Sequence, residues 1–188
     1  MNEYIARKIA RWSIGEEYSP ESDECQIIEY GILLTIESVY KTLILISLGV
    51  LFDMIVETIV FLCVFCGLRS CAGGIHMKTS FGCTMVVMFG WILSMVGSNF
   101  HISQKLIFCI LAFVFFILIL YAPVTTKNNP ILDEKIKRIK KIKSIMLVLI
   151  VVIASTFVSF GLRNVMVIAI TFEALTLIMV RKEDMYEE

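Results

Sequence analysis

The chain lacks an excess of charge of either sign, since its 188 residues include 17 lysines and arginines and 17 aspartates and glutamates. This balance gives no electrostatic argument for a nucleic-acid partner, and none is expected. The six cysteines are irregularly spaced, mostly in apolar surroundings, unlike the disulfide framework of a small secreted domain. No cleavable signal peptide is expected, because the first apolar block begins only near Gly31, after a polar and charged leader.

Apolar sequence is what the chain has in abundance, because 58% of its residues are hydrophobic and the mean hydropathy is +0.84. Soluble domains usually contain about 45–50% apolar residues. We therefore predict one domain over residues 1–188 with an all-α fold, a polytopic integral membrane protein of about six transmembrane helices. The six apolar blocks cover approximately residues 31–50, 54–68, 84–100, 105–123, 144–161 and 165–180.

Two of these blocks, 54–68 and 165–180, are short for a spanning helix, which needs about 20 residues. Tilted or re-entrant segments are therefore alternatives to full spans at these two places.

The N-terminal residues 4–14 carry Ile5, Ile9 and Trp12 near one face and three basic residues on another. This pattern predicts a short amphipathic helix that ends at Gly15 and suits the lipid surface of an anionic membrane. The alternative is a solvated helical leader packed on the rest of the protein. The sequence Ser19-Pro20-Glu21 then predicts the N-cap of a long helix that runs into the first apolar block.

The basic residues predict the topology. With a cytoplasmic N-terminus and six alternating helices, 14 lysines and arginines lie on inside segments, and only Lys105 and Arg163 lie on outside loops. This positive-inside bias places both termini and the segment Arg69–Cys83 in the cytoplasm. Six of the inside residues lie in the connector Asp133–Lys143, which is interpreted as an orientation signal. The same connector could lie along the inner leaflet or hold an acidic peptide.

The segment Arg69–Cys83 is the strongest candidate for chemistry, because it places His76 and Cys83 seven residues apart between two apolar blocks. Ionisable groups are expensive to hold near lipid and are there most often for function. An imidazole can take the proton of a thiol and leave a nucleophilic thiolate. In one straight helix, however, the two side chains would lie about 10 Å apart along the axis, which is too far for direct proton transfer.

A break in the helix is therefore expected before the cysteine. Gly73-Gly74 gives the backbone freedom to bend, and Thr79 or Ser80 can cap a new helix. Cys83 would then lie in the first turn of that helix, where the positive end of the helix dipole favours a thiolate. Arg69 adds positive potential in the same direction.

Spacing alone leaves other interpretations open. A single histidine is often a structural residue, a buried cysteine is often a small apolar filler, and a glycine pair often allows close helix packing. Cys71, His76 and Cys83 also offer three potential metal ligands, but their spacing matches no usual zinc pattern. We expect no metal and no cofactor.

The order Arg69, Gly73-Gly74, His76 and Cys83 resembles the accessory gene regulator B (AgrB) family of Gram-positive bacteria, which are membrane cysteine endopeptidases that process precursors of quorum-sensing peptides. The length and the six blocks also fit, so the resemblance covers essentially the whole chain. Cys71 departs from the pattern, since a bulky or aromatic residue is more usual there. Three further stretches are similar to the family, namely Glu29-Tyr30-Gly31, Tyr121-Ala122-Pro123 with Lys127-Asn128-Asn129-Pro130 after it, and the acidic tail near Glu183-Asp184.

The resemblance implies that Cys83 is the nucleophile and His76 its general base. The implied substrate is an AgrD-like propeptide with an amphipathic N-terminal part, a central cysteine and an acidic C-terminal tail. The enzyme would remove the tail through an acyl-thioester, and the propeptide's own cysteine would then close a thiolactone ring. Supporting residues, as oxyanion donor or backbone bend, are Arg69, Gly73 and Gly74, and the candidates for an acid that orients the histidine are Glu29 and Glu37.

Two other function classes compete with the peptidase. A peptide transporter or exporter would use intramembrane charges as a pathway, and these are Glu37, Lys41, Glu57 and Glu173. For Glu37 and Lys41, an ion pair between residues four apart on one helix is the favoured interpretation. A sensor subunit would bind a peptide without a covalent intermediate. A homodimer in the bilayer is a further expectation.

Overall fold

The computed structural model describes residues 2–15, 18–19, 22–73, 80–124 and 134–186. All regular structure in these ranges is α-helical, which confirms the predicted all-α class. The chain divides into two compact units, residues 1–48 and residues 49–188, and each is described by itself below. The helices are α1 (Asn2–Ile14), α2 (Asp23–Leu51), α3 (Ile55–Ala72), α4 (Ser80–Gly97), α5 (Gln104–Tyr121), α6 (Glu134–Ala154) and α7 (Phe160–Tyr186).

The first unit contains the N-terminal helix and most of α2. Helix α1 ends where it was predicted to end, because Gly15 adopts a positive φ of 71° that a helix cannot continue through. The predicted cap at Ser19 is wrong by three residues. Helix α2 begins at Asp23, because the Ser22 hydroxyl accepts a hydrogen bond from the backbone N–H of Cys25 at 3.2 Å, which is N-cap geometry.

Helix α7 forms the centre of the second unit. It packs against α3, α4 and α5, while α6 packs against α3 and α5. More than half of its apolar stretch Phe160–Met179 is buried within the protein, a larger share than in the other long apolar helices. Its fully buried apolar side chains are Val165, Val167, Ala169, Ile170, Ala174 and Leu177. A central helix surrounded by neighbours is mostly hydrophobic on all sides. The buried polar residues in the described part of α7 are Asn164, Glu173 and Thr176, and Glu173 is the charged one.

Small residues let α4 approach α7 closely. A Cβ atom added to Gly90 would lie 2.6 Å from the ring of Phe172, and one added to Gly97 would lie 2.1 Å from Ile168. Asn164 secures the same junction, because its side-chain amide donates to the carbonyl of Gly97 at 3.2 Å and to that of Phe100 at 2.7 Å. Packing through small residues with a few satisfied polar groups is typical of helices that associate in a membrane.

Four helical stretches are long and apolar enough to cross a membrane by length and composition, counted over the described ranges: Glu24–Leu51, Ile55–Ala72, Gln104–Tyr121 and Phe160–Met179. Each of the six predicted blocks nevertheless coincides over most of its length with one helix, α2 to α7, although the block at 144–161 runs past the end of α6 at Ala154. The blocks at 54–68 and 165–180, which are short in sequence, belong to two of the four full-length helices. The third block, at 84–100, lies on α4, which at 18 residues is as long as α3 and α5.

The basic connector belongs to α6. The structure has one continuous helix from Glu134 to Ala154, so the basic residues from Lys135 to Lys143 form its first turns, and their roles as orientation signal or at the inner leaflet stay predictions. No proline or glycine occurs between Glu134 and Ala154, so nothing in the sequence breaks the helix where the apolar block begins. The charges at its start are also the reason why α6 does not count among the four apolar stretches.

The outer surface of the second unit is strongly apolar. Exposing such side chains to water costs about 25 cal/mol per Å², and a surrounding hydrocarbon phase removes that cost. This surface and the four long apolar helices together identify an all-α membrane protein. Exposed residues on α4, α5 and α6 include Phe89, Phe108, Phe116, Ile150 and Ile153.

Candidate active site

Helices α3 and α4 bring Arg69 and Cys83 together. Arg69 lies in the last turn of α3, and Cys83 lies in the first turn of α4. The Nη2 atom of Arg69 donates to the Sγ atom of Cys83 over 3.9 Å. A neighbouring cation and a helix start are the surroundings in which reactive cysteines are found.

A third helix completes this cluster. The Nη1 atom of Arg69 lies 3.5 Å from Oε2 of Glu173 in α7, and the side chain of Glu173 is fully buried whereas that of Arg69 is 19% exposed. The guanidinium also lies over the ring of Phe65, 5.9 Å from its centroid. Arg69 is therefore held between a carboxylate, an aromatic face and the sulfur of Cys83.

Gly73 ends α3 in a conformation that favours glycine. It has φ 82° and ψ −168°, and its N–H donates to the carbonyl of Arg69 at 3.0 Å. A Cβ atom here would lie 3.0 Å from the backbone oxygen of Val124. The chain after α5 is joined at this point, because the N–H of Val124 donates to the carbonyl of Ala72 at 3.0 Å. Gly73 thus ends α3 and leaves room for the backbone of Val124.

The second thiol near this region, Cys71, has a different environment. It is part-exposed, and its sulfur lies 3.7 Å from the hydroxyl of Ser70. Cys83, by contrast, lies beside Arg69, which forms an ion pair with Glu173. All six cysteines are free thiols, consistent with the absence of a disulfide framework in the sequence pattern.

His76 and Gly74 lie outside the described residues, so the predicted contact between His76 and Cys83 stays a prediction. The described ranges contain no group of three His, Cys, Asp or Glu side chains that could hold a metal ion.

The two candidate orienting acids both have partners within the first unit. Glu29 lies 3.4 Å from Nε of Arg7 and accepts a hydrogen bond from the hydroxyl of Tyr18. That bond raises the pKa of Tyr18 above its ordinary value. Glu37 forms the expected ion pair with Lys41, four residues on, at 3.3 Å. Their role beside His76 stays a prediction.

A cavity of about 790 Å³ opens where α5 ends and α6 begins. The segment Leu120–Val124 forms one wall, and Val124 joins that wall to the end of α3 through its bond to Ala72. Cationic side chains dominate the other wall, so the cavity suits an anionic ligand. They are Lys135, Lys137, Arg138 and Lys141, accompanied by the acid Glu134.

Glu173 is the residue of this site that sequence reasoning did not assign to it. In the sequence it appears only as one of several charges within apolar blocks, in the transporter alternative. A single carboxylate between Phe172 and Ala174 is a strong indication of a functional or paired group. The sequence does not say which partner it has.

Comparison with known proteins identifies a family and related sequences. The family model described as "Accessory gene regulator B" matches residues 3–177. The chain is 30% identical over 146 residues to "Putative AgrB-like protein 2" of Clostridium perfringens (strain 13 / Type A), covering 73% of this chain and 68% of the relative. It is 26% identical over 145 residues to "Accessory gene regulator protein B" of Staphylococcus carnosus (strain TM300), covering 73% of this chain and 74% of the relative. No solved structure matches the chain.

Proposed function

The chain belongs to the accessory gene regulator B family, and we propose that it is a membrane-embedded cysteine endopeptidase that removes the acidic tail of a quorum-sensing propeptide. The observation that carries this proposal is the position of Cys83 in the first turn of α4, 3.9 Å from the guanidinium of Arg69. A thiol at the start of a helix and beside a cation has the environment of a reactive cysteine.

Cleavage would proceed by acyl transfer. His76 takes the proton of the Cys83 thiol, and the sulfur attacks the carbonyl carbon that precedes the tail. The bond from that carbon to the tail nitrogen breaks, and the same histidine returns its proton to the leaving amine. The products are a free tail and an acyl-thioester on Cys83. Arg69 or backbone N–H groups at the start of α4 would stabilise the oxyanion of the intermediate.

Ring closure would follow on the same enzyme. The thiolate of the propeptide's own cysteine attacks the thioester, a new thioester forms within the peptide, and Cys83 is released. One thioester is exchanged for another at little free-energy cost. An apolar setting that limits water would favour this exchange over hydrolysis.

The cationic cavity between α5 and α6 supports an acidic peptide as the substrate. Its basic side chains are opposite in charge to the acidic tail. Val124, which lines the cavity, is hydrogen-bonded to Ala72 at the end of α3, the helix that carries Arg69. A tail held in this cavity would be tethered close to the end of α3. We place the site and both termini on the cytoplasmic side, as the distribution of basic residues predicts.

Intact mass spectrometry tests the proposal directly. The substrate is a synthetic propeptide with an amphipathic N-terminal part, a central cysteine and an acidic tail. It is incubated with the purified protein in liposomes, and the enzyme variants are wild type, Cys83→Ala, His76→Ala and Cys71→Ala. We expect loss of the tail with wild type and with Cys71→Ala, and no loss with the other two. Cleavage by Cys83→Ala at the wild-type rate would refute the assignment of the nucleophile.

The same experiment separates the competing functions. A transporter would tolerate Cys83→Ala, and uptake of the uncleaved peptide into the liposomes would require the charged residue Glu37 instead. A sensor subunit would bind the peptide with no change in its mass.

A further inference from the structure

Glu173 is a buried carboxylate in the middle of an apolar helix. Its side chain has no exposed surface, and its neighbours Ile170, Ala174 and Leu177 are fully buried apolar residues. Its Oε1 atom accepts no hydrogen bond within the described part of the chain. A buried charge without a partner is strongly unfavourable, and the opposite charge beside Glu173 is Arg69, at 3.5 Å.

The two ends of the guanidinium have different partners. Nη1 faces Glu173 at 3.5 Å, and Nη2 faces the sulfur of Cys83 at 3.9 Å. The guanidinium is planar and rigid, so fixing one amino group fixes the direction of the other. The guanidinium also lies over the ring of Phe65, 5.9 Å from its centroid, within the range of cation–π attraction. The orientation of Arg69 toward Cys83 therefore depends on Glu173.

We propose that Glu173 is a positioning residue that holds Arg69 against Cys83. This inference rests on the proposed function, in which Cys83 is the nucleophile. Without the carboxylate, the cation of Arg69 would move toward the 19% of its surface that is exposed, because water solvates a charge better than an apolar interior does. Cys83 would then lose the positive group that favours its thiolate.

Stability alone does not account for a carboxylate at this place. Replacing a buried ion pair by apolar residues of similar volume is often neutral or stabilising, and the surroundings of Glu173 are already apolar. What apolar residues would not reproduce is a fixed guanidinium beside the sulfur. The pair therefore serves the state of Cys83 rather than only the packing of α3 on α7.

The test measures the reactivity of Cys83 without any substrate. The full-length protein in liposomes is treated with iodoacetamide, and mass spectrometry follows alkylation of the peptide that contains Cys83. The variants are Glu173→Gln, which removes the charge, Glu173→Asp, which keeps the charge but shortens the side chain, and Arg69→Gln. Glu57→Gln is the matched control, because this acid also lies on a helix of the second unit but three turns, about 18 Å along α3, from Arg69.

We expect alkylation of Cys83 to be about tenfold slower in Glu173→Gln, because the cation no longer stabilises the thiolate. Glu173→Asp should give an intermediate rate, and Glu57→Gln the wild-type rate. In the Arg69→Gln protein, adding Glu173→Gln should slow alkylation no further, since Glu173 acts through Arg69. With the propeptide, kcat should fall in Glu173→Gln while KM changes little.

Three results would overturn the proposal. The first is a wild-type alkylation rate in folded Glu173→Gln. The second, which applies if that variant does not fold, is a wild-type rate in Glu173→Asp. The third is an additional loss of reactivity when Glu173→Gln is combined with Arg69→Gln. Because alkylation needs no propeptide, failure of the wild type to cleave would refute the proposed function and leave this measurement to decide the role of Glu173.

Discussion

Replacing Gly73 by alanine should damage both stability and activity. The residue has φ 82° and ψ −168°, a region of conformational space that side chains other than that of glycine rarely adopt. Strain of this kind costs about 1–3 kcal/mol. The new Cβ atom would also lie 3.0 Å from the backbone oxygen of Val124. Moving that oxygen would disturb the hydrogen bond from the N–H of Val124 to the carbonyl of Ala72.

The size of the effect can be expressed as a melting temperature. For a protein of this length, 1 kcal/mol corresponds to about 2–4 °C, so the strain alone should lower the apparent melting temperature of Gly73→Ala by about 2–12 °C. Activity should fall more steeply, because a displacement of about 1 Å at a reacting group can cost about a hundredfold in rate. The melting temperature is measured on the purified protein in detergent with a thermal-shift assay whose dye does not react with thiols, because the protein has six free cysteines. The activity is measured as cleavage of the propeptide.

Gly31→Ala is the matched control for this prediction. Gly31 lies within α2, and no atom lies within 4 Å of an added Cβ there. Alanine is favoured over glycine within a helix by about 1 kcal/mol, so the control should melt at the wild-type temperature or slightly above it. A Gly73→Ala protein that melts and cleaves like wild type would refute the argument that this turn requires glycine.

Three other perturbations follow from the structure. Trp91→Phe removes the indole N–H that donates to Oγ1 of Thr58 at 3.0 Å, which should destabilise the protein by about 1–2 kcal/mol in thermal unfolding. Glu29→Gln should lower the pKa of Tyr18 toward its ordinary value, because the hydrogen bond to Glu29 is the main cause of its raised pKa. The contribution of that hydrogen bond to stability is present below the ordinary pKa and is lost as the pH rises through the raised pKa. The pKa is measured from tyrosinate absorbance, with Tyr18→Phe as the reference protein. Lys141→Gln removes one cation from the cavity wall and should raise KM about threefold for an acidic tail but not for a neutral one, with a smaller effect at high salt.

The helices could be predicted from the sequence because the apolar blocks leave few alternatives. A chain within a bilayer must satisfy its own backbone hydrogen bonds, and a helix does so within one segment. Each of the six blocks accordingly coincides with one helix over most of its length. The boundaries were less certain, as the basic start of α6 illustrates: charge distinguishes residues 134–143 from the apolar block that follows, but charge alone does not end a helix.

The site could be predicted only in part. Cys83, Arg69 and Gly73 were identified from a local pattern of residue types, because all three lie within one polar segment between two apolar blocks. Glu173 lies 90 residues beyond Cys83, in a mostly apolar stretch of α7, so periodicity does not show which way it faces. Its pairing with Arg69 depends on the packing of α7 against α3, which no local pattern contains.

The central claim is that Cys83 becomes acylated, and the most direct measurement traps that intermediate. The protein is mixed with a propeptide whose central cysteine is replaced by serine, so that the acyl group cannot pass readily to a second thiol. The intact mass of the protein should rise by the mass of the propeptide minus that of the released tail. The adduct should map to Cys83, and hydroxylamine should remove it, as expected for a thioester. Release of the tail with an adduct on Cys71, or undiminished release by Cys83→Ala, would contradict the account.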